Sequence, residues 1–215
     1  MRKNSVAILI AVFVSTIASG QIKIGVKTGL QYSHLASYNE FNIQSDWAMG
    51  FNAGAFADIK TLPFLHIQAS VLYWSLAYRN SNIIAEDPQT RSLIGDISLQ
   101  RISYMQVPVY ALFRFGLKKA NLKIGAGPYF AFKVSDKTKI EGGDTFRGTI
   151  VPQGTKSIKS NVNGWGLYSG VEFNRWLVAL NFQQTFKGIY DNLGTNLPEW
   201  KMGNIGLSVG YFLIK

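Results

Sequence analysis

No cysteine occurs among the 215 residues, and only two histidines do. The first absence excludes disulfide staples, thiolate metal sites, thiol nucleophiles and a lipid-anchor cysteine. His34 and His66 lie far apart among scattered carboxylates, which is no metal-ligand spacing, so neither a metal nor a cofactor is expected. Acidic residues are also scarce: 12 stand against 22 basic ones, giving a formal charge of +10. A basic chain meets either nucleic acid or an anionic surface such as that of a bacterium, and charge alone does not separate these. Long apolar runs are missing after residue 20, so any membrane crossing has to use strands.

What is present begins with an export pattern. Arg2 and Lys3 precede an apolar stretch from Val6 to Val14, and Ala18, Ser19 and Gly20 form a small-residue cleavage site before Gln21. Residues 1–20 are therefore expected to be a cleaved signal peptide, and residues 21–215 a single barrel domain. The run is too short for a retained membrane helix, because Ser15, Thr16 and Ser19 interrupt it. Loss of Arg2 and Lys3 with the leader lowers the formal charge to +8.

From Gln21 to Tyr32 polar or glycine positions alternate with apolar or β-branched ones, the period of a strand with two different faces. Seven further segments repeat the pattern, near residues 47–60, 65–74, 99–115, 122–133, 164–173, 176–182 and 205–213. The stretches between them run long, short, long, short, long, short, long. Polar loops are expected over 34–46, 79–98, 135–161 and 187–199, and tight turns at Leu62-Pro63, residues 116–120 and Asn174-Arg175. That order predicts an all-β fold, an eight-stranded antiparallel up-and-down transmembrane β-barrel, with short turns at one rim and long loops at the other.

Volume decides which face is inside. One face carries Trp47, Phe51, Tyr73, Phe113, Phe115, Phe130, Phe132, Trp165, Phe173, Trp176, Phe182 and Tyr211. Eight strands enclose an interior just wide enough for side chains, which that many rings would overfill. The other face is rich in glycine and shares its space with Tyr104, Tyr110, Tyr129 and Tyr168. The aromatic face is therefore expected to meet lipid, with rings near strand ends as interfacial girdles. A soluble lipocalin-like binder, with the faces exchanged, is the alternative.

The chain resembles the PorT-like outer-membrane β-barrel family of Bacteroidetes-type bacteria over essentially its whole mature length. The residues that carry the resemblance are Tyr104-Met105-Gln106-Val107-Pro108-Val109, supported by Gly125-Ala126-Gly127-Pro128-Tyr129, Asn163-Gly164-Trp165-Gly166-Leu167, Gly170-Val171-Glu172 and Gly210-Tyr211-Phe212. Ser70 and Gln106 stand where that family often carries a lumen glutamate, and Leu213-Ile214-Lys215 extends past the aromatic end. The resemblance implies location in the bacterial outer membrane and insertion by the barrel-assembly machinery, with Tyr211 and Phe212 as the assembly signal. It also raises a role as accessory component of a type IX-like surface secretion route.

Candidate chemistry concentrates on the inward face. Lys23, Lys27, Asp58, Arg114, Lys123 and Glu172 are expected to form a charge-paired lumen network with Tyr104, Gln106, Tyr129 and Tyr168, because an unpaired buried charge is costly. Pro108 lacks a ladder donor and is expected to mark a bulge in the fourth strand. His66 falls on the lumen face beside Gln68 and Ser70, while His34 has no serine–acid arrangement beyond Ser33. Neither assembles a triad by sequence. The expected function is non-catalytic: a monomer with a plugged lumen whose long loops contact lipopolysaccharide or a surface protein, without nucleic acid. A lipid A-modifying enzyme and a small channel remain the other readings.

Overall fold

The computed structural model describes residues 22–37, 45–86, 93–140, 159–189 and 200–215. Eight strands follow in order: β1 (Ile22–Ser37), β2 (Ser45–Lys60), β3 (Leu65–Glu86), β4 (Leu93–Gly116), β5 (Asn121–Ile140), β6 (Asn161–Phe173), β7 (Trp176–Thr185) and β8 (Trp200–Ile214). Each pairs antiparallel with its neighbour in sequence, and β1 pairs with β8 to close the barrel. The expected leader at residues 1–20 lies outside the described residues.

Three short turns and both described chain ends share one rim. Residues 61–64 turn back through Leu62 N to Leu65 O at 2.9 Å, and residues 117–120 through Leu117 N to Ala120 O at 2.8 Å. The third turn is Asn174-Arg175, closed by pairing of Phe173 with Trp176. Asn174 sits at φ 51°, a left-handed conformation that asparagine tolerates better than most side chains.

The strands run further toward the opposite rim than the alternation indicated. β3 and β4 stay paired to Glu86 and Leu93, through what the sequence suggested was the 79–98 loop. Likewise β1 continues to Ser37 and β5 to Ile140. Beyond lipid, water meets both faces of a sheet, so the ladder persists without any apolar alternation to reveal it.

Pro108 is not a bulge. Ala69 pairs with Val109 and Leu72 with Gln106, so the β3–β4 register is the same on both sides of it. The β4–β5 register is likewise unchanged from Pro108–Tyr129 to Ala111–Ala126. The missing donor interrupts a ladder bond without inserting a residue. The β4–β5 shift lies instead at Ser103/Tyr104.

The two faces differ as the volume argument requires. Outward residues include Val26, Leu30, Phe51, Val71, Phe113, Phe115, Phe130, Phe132, Phe173, Trp176, Val178 and Leu207, all exposed. Trp176 packs on Tyr211 with ring centroids 5.0 Å apart, and Phe64 stacks on Phe113 at 6.5 Å near the short-turn rim. Phe51 with Tyr73 and Trp165 with Phe182 form the matching pairs toward the other rim. Aliphatic side chains lie between these bands, the distribution a bilayer imposes on a barrel.

Glycine makes room for the rings inside. A Cβ on Gly164 would lie 2.6 Å from the Tyr129 ring, and one on Gly170 2.9 Å from the Tyr168 ring. Inward aromatic side chains thus lie flat across glycine backbone, the close approach for which strand glycines are used.

Candidate functional site in the lumen

The inward face forms three successive layers. At the short-turn end, β1, β2, β3, β5 and β6 each contribute a charged or titratable group. Lys23 Nζ lies 2.6 Å from Glu172 Oε1, and Lys123 Nζ lies 2.5 Å from Asp58 Oδ2. Lys123 Nζ is also 2.7 Å from Glu172 Oε2, an ion-pair contact. His66 Nδ1 approaches Asp58 Oδ1 at 2.6 Å. Lys215 reaches Glu172 Oε1 at 3.5 Å and donates to Asn174 O. Phe212 seals the layer: it meets Phe56 edge to face at 5.1 Å, with the ammonium groups of Lys23 and Lys123 5.4 and 5.6 Å from its ring centre.

The middle layer is made of amides and hydroxyls. Gln106 Nε2 donates to Gln183 Oε1 at 3.1 Å, and Gln183 Nε2 donates to the Tyr110 hydroxyl at 2.7 Å. Asn204 Nδ2 donates to the same Gln183 oxygen, and Asn52 Nδ2 to Gln31 Oε1, both at 3.4 Å. The Tyr110 and Tyr168 rings stand 5.5 Å apart. A small cavity remains here, lined by Lys27, Gln31, Asn52, Tyr110, Tyr168 and Asn181 among others.

Toward the long connections the lumen becomes apolar. Trp74 packs against Tyr104 and Tyr129 at 6.1 and 5.8 Å, with Leu76, Ile102, Val162 and Met202 beside them, all buried. Ile189, from the segment after β7, is fully buried in the same cluster. Lys159 fastens that segment: its backbone N–H donates to Ile189 O and its Nζ to Gly188 O, both at 2.8 Å.

The structure thus brings Lys23, Asp58, Lys123 and Glu172 together and adds His66 and Phe212, which the sequence reading did not join to them. Tyr104, Tyr129, Tyr168 and Gln106 face the lumen in other layers. Two expected members are corrected. Arg114 pairs across the ladder with Lys123, but its side chain turns toward the short-turn rim, where Nη2 donates to Asn121 Oδ1 at 2.9 Å, and it makes no ion pair with Asp58 or Glu172. Lys27 sits one layer higher than the network, over the Phe56 ring at 5.7 Å. Tyr211 faces outward, whereas Phe212 is buried in the lumen, so the two do not present their rings to lipid together.

The histidines have unlike surroundings. His66 is buried against Asp58, and the His34 ring packs 4.1 Å from that of Trp47. Among the described residues no serine hydroxyl hydrogen-bonds either ring.

A family model described as an outer membrane protein beta-barrel domain matches residues 15–192. Comparison with curated protein sequences gives no match. Among solved structures, the chain is similar to the attachment invasion locus protein Ail of Yersinia pestis, with 13% identity over 90% of this chain and 99% of that one, at a TM-score of 0.41. Neisserial surface protein A is 12% identical, with 87% and 96% covered and a TM-score of 0.44. The outer membrane protein OprG of Pseudomonas aeruginosa is 8% identical, with 90% and 95% covered, also at 0.44.

Proposed function

Because the chain belongs to the outer membrane protein beta-barrel domain family, we propose that it is a non-catalytic barrel with a closed lumen, acting through the long connections at one rim. It is a protein of the bacterial outer membrane. The observation that carries the reading is the filling of the lumen by three unlike layers, ionic, amide and aromatic, which leaves the rim as the place for interaction. The connections 38–44, 87–92, 141–160 and 186–199 supply that surface. The segment from Ser135 to Asn161 carries Lys137, Lys139, Arg147, Lys156 and Lys159 against Asp136, Glu141 and Asp144, a surplus suited to anionic lipopolysaccharide or an acidic surface protein. The same reading takes residues 1–20 as the export signal and the barrel as monomeric. Within the family we place it nearest the PorT-like barrels on Tyr104 to Val109, with Tyr211 and Phe212 read by the assembly machinery.

The test has two parts. In planar bilayers the purified chain should give no reproducible conductance step; steps abolished by Arg114→Glu would refute the closed lumen. In intact cells, protease should cut within residues 141–158 and spare Lys118. Cleavage near Lys118 alone would reverse the orientation and remove the loops from the cell surface.

A further inference from the structure

Lysines outnumber carboxylates in this lumen: Lys27 and Lys123 are buried and Lys23 is partly buried, against Asp58 and Glu172. Asp58 and Glu172 are the buried carboxylates among the described residues, and both are engaged at the short-turn end by Lys23 and Lys123. Lys27 is also buried, at 7% exposure, and among the described residues it has neither a carboxylate nor a hydrogen-bond partner. Its ammonium lies over the face of Phe56, an attraction that does not neutralise the charge. A desolvated ammonium is stable only when paired or deprotonated.

Lys27 opens on the cavity of the middle layer. Among the described residues no acid lines that cavity; Gln31, Asn52, Tyr110, Tyr168 and Asn181 do. The Tyr110 hydroxyl accepts from Gln183 Nε2, which leaves its own proton free to donate. Asn181 adds a carboxamide N–H on the same wall. The space is about the size of one water, too small for an oxyanion such as phosphate, so size leaves water or a monatomic ion slightly larger than it, and the unpaired ammonium favours the anion.

We propose that this chamber is a binding site for a small monovalent anion of halide size, held by the Lys27 ammonium and hydrogen-bonded by Tyr110 and Asn181. The ion balances the third lumen lysine and is enclosed between the ionic layer and the aromatic layer. Because both ends are filled, it enters as the barrel folds. This site is independent of the surface role proposed for the rim.

The test is to fold the full mature chain into detergent micelles with sodium bromide as the sole halide and crystallise it. Anomalous diffraction at the bromine edge should give one peak in contact with Lys27 Nζ, absent from Lys27→Met. In solution, the folded wild type dialysed into halide-free buffer should retain about one bromide per chain and release it on unfolding, Lys27→Met should retain less than half of that, and the exposed-site variant Lys118→Met should retain as much as the wild type. No bromide at Lys27, or equal retention with and without the ammonium, overturns the proposal. If Lys27→Met does not fold, the wild-type bromide map alone decides.

Discussion

Replacing Glu172 by Gln leaves the shape of the short-turn layer nearly intact and removes its charge. Glu172 is 1% exposed and accepts from Lys23 at 2.6 Å while pairing with Lys123 at 2.7 Å. A hydrogen bond to a charged group contributes about 1.5–3 kcal/mol. Lys123 keeps Asp58, and the amide oxygen keeps one weaker acceptor, so the two losses are only partly realised. Removing one partner of a buried pair costs about 3–5 kcal/mol in general, and the retained contacts place this variant near the lower end, about 3 kcal/mol. Equilibrium urea unfolding in lipid vesicles, followed by tryptophan fluorescence and by the gel mobility of folded barrel, measures it. The loss should be insensitive to added salt, because buried pairs are screened little. Adding Lys23→Met to the Glu172→Gln variant should cost less than adding it to the wild type, by at least about 1 kcal/mol of coupling. A loss below about 1 kcal/mol, or one that disappears in salt, would mean the layer is wet and does not close the lumen.

Asn174→Val should destabilise the barrel by about 1–2 kcal/mol through the left-handed turn, and Asn174→Gly should not, as read by the same unfolding assay. Val178→Arg should cost about 2–4 kcal/mol in bilayers, because Val178 is on the outward face of β7, in the aliphatic zone between the ring bands. Equal stability of that variant and the wild type would place the outward face in water.

Face assignment was legible because it depends only on parity. Ile24, Phe130 and Val178 occupy the same phase of a two-residue repeat, and one volume comparison assigns all eight strands at once. Strand length was not legible: residues 79–86 and 93–98 pair as strands with no lipid to impose a pattern. The charged layer was half visible. Asp58, Lys123 and Glu172 could be put on the inward face, but their height depends on the stagger between strands, which parity does not contain. That stagger lifts Lys27 clear of the acids and brings His66 onto Asp58, while Arg114, opposite Lys123 in the ladder, is lost to the layer because its side chain turns to Asn121. Phe212 was read as part of an end signal, although its alternation with Tyr211 already placed it inside. Ile189 carried no periodic signal, since a turn after a strand can enter or leave the lumen with the same residues.

If the lumen is closed as proposed, one face of the barrel meets lipid while the other excludes water, and site-directed labelling measures that division directly. The chain has no cysteine, so single nitroxide labels can be introduced without background at successive positions of β7, in vesicles. Val178 and Leu180 should be collision-accessible to oxygen and inaccessible to a polar nickel reagent. Leu177 and Ala179, buried at 1% and 2% exposure, should be immobilised and shielded from both. Nickel access at Leu177 and Ala179 would contradict the account, since it would mean a water-filled lumen.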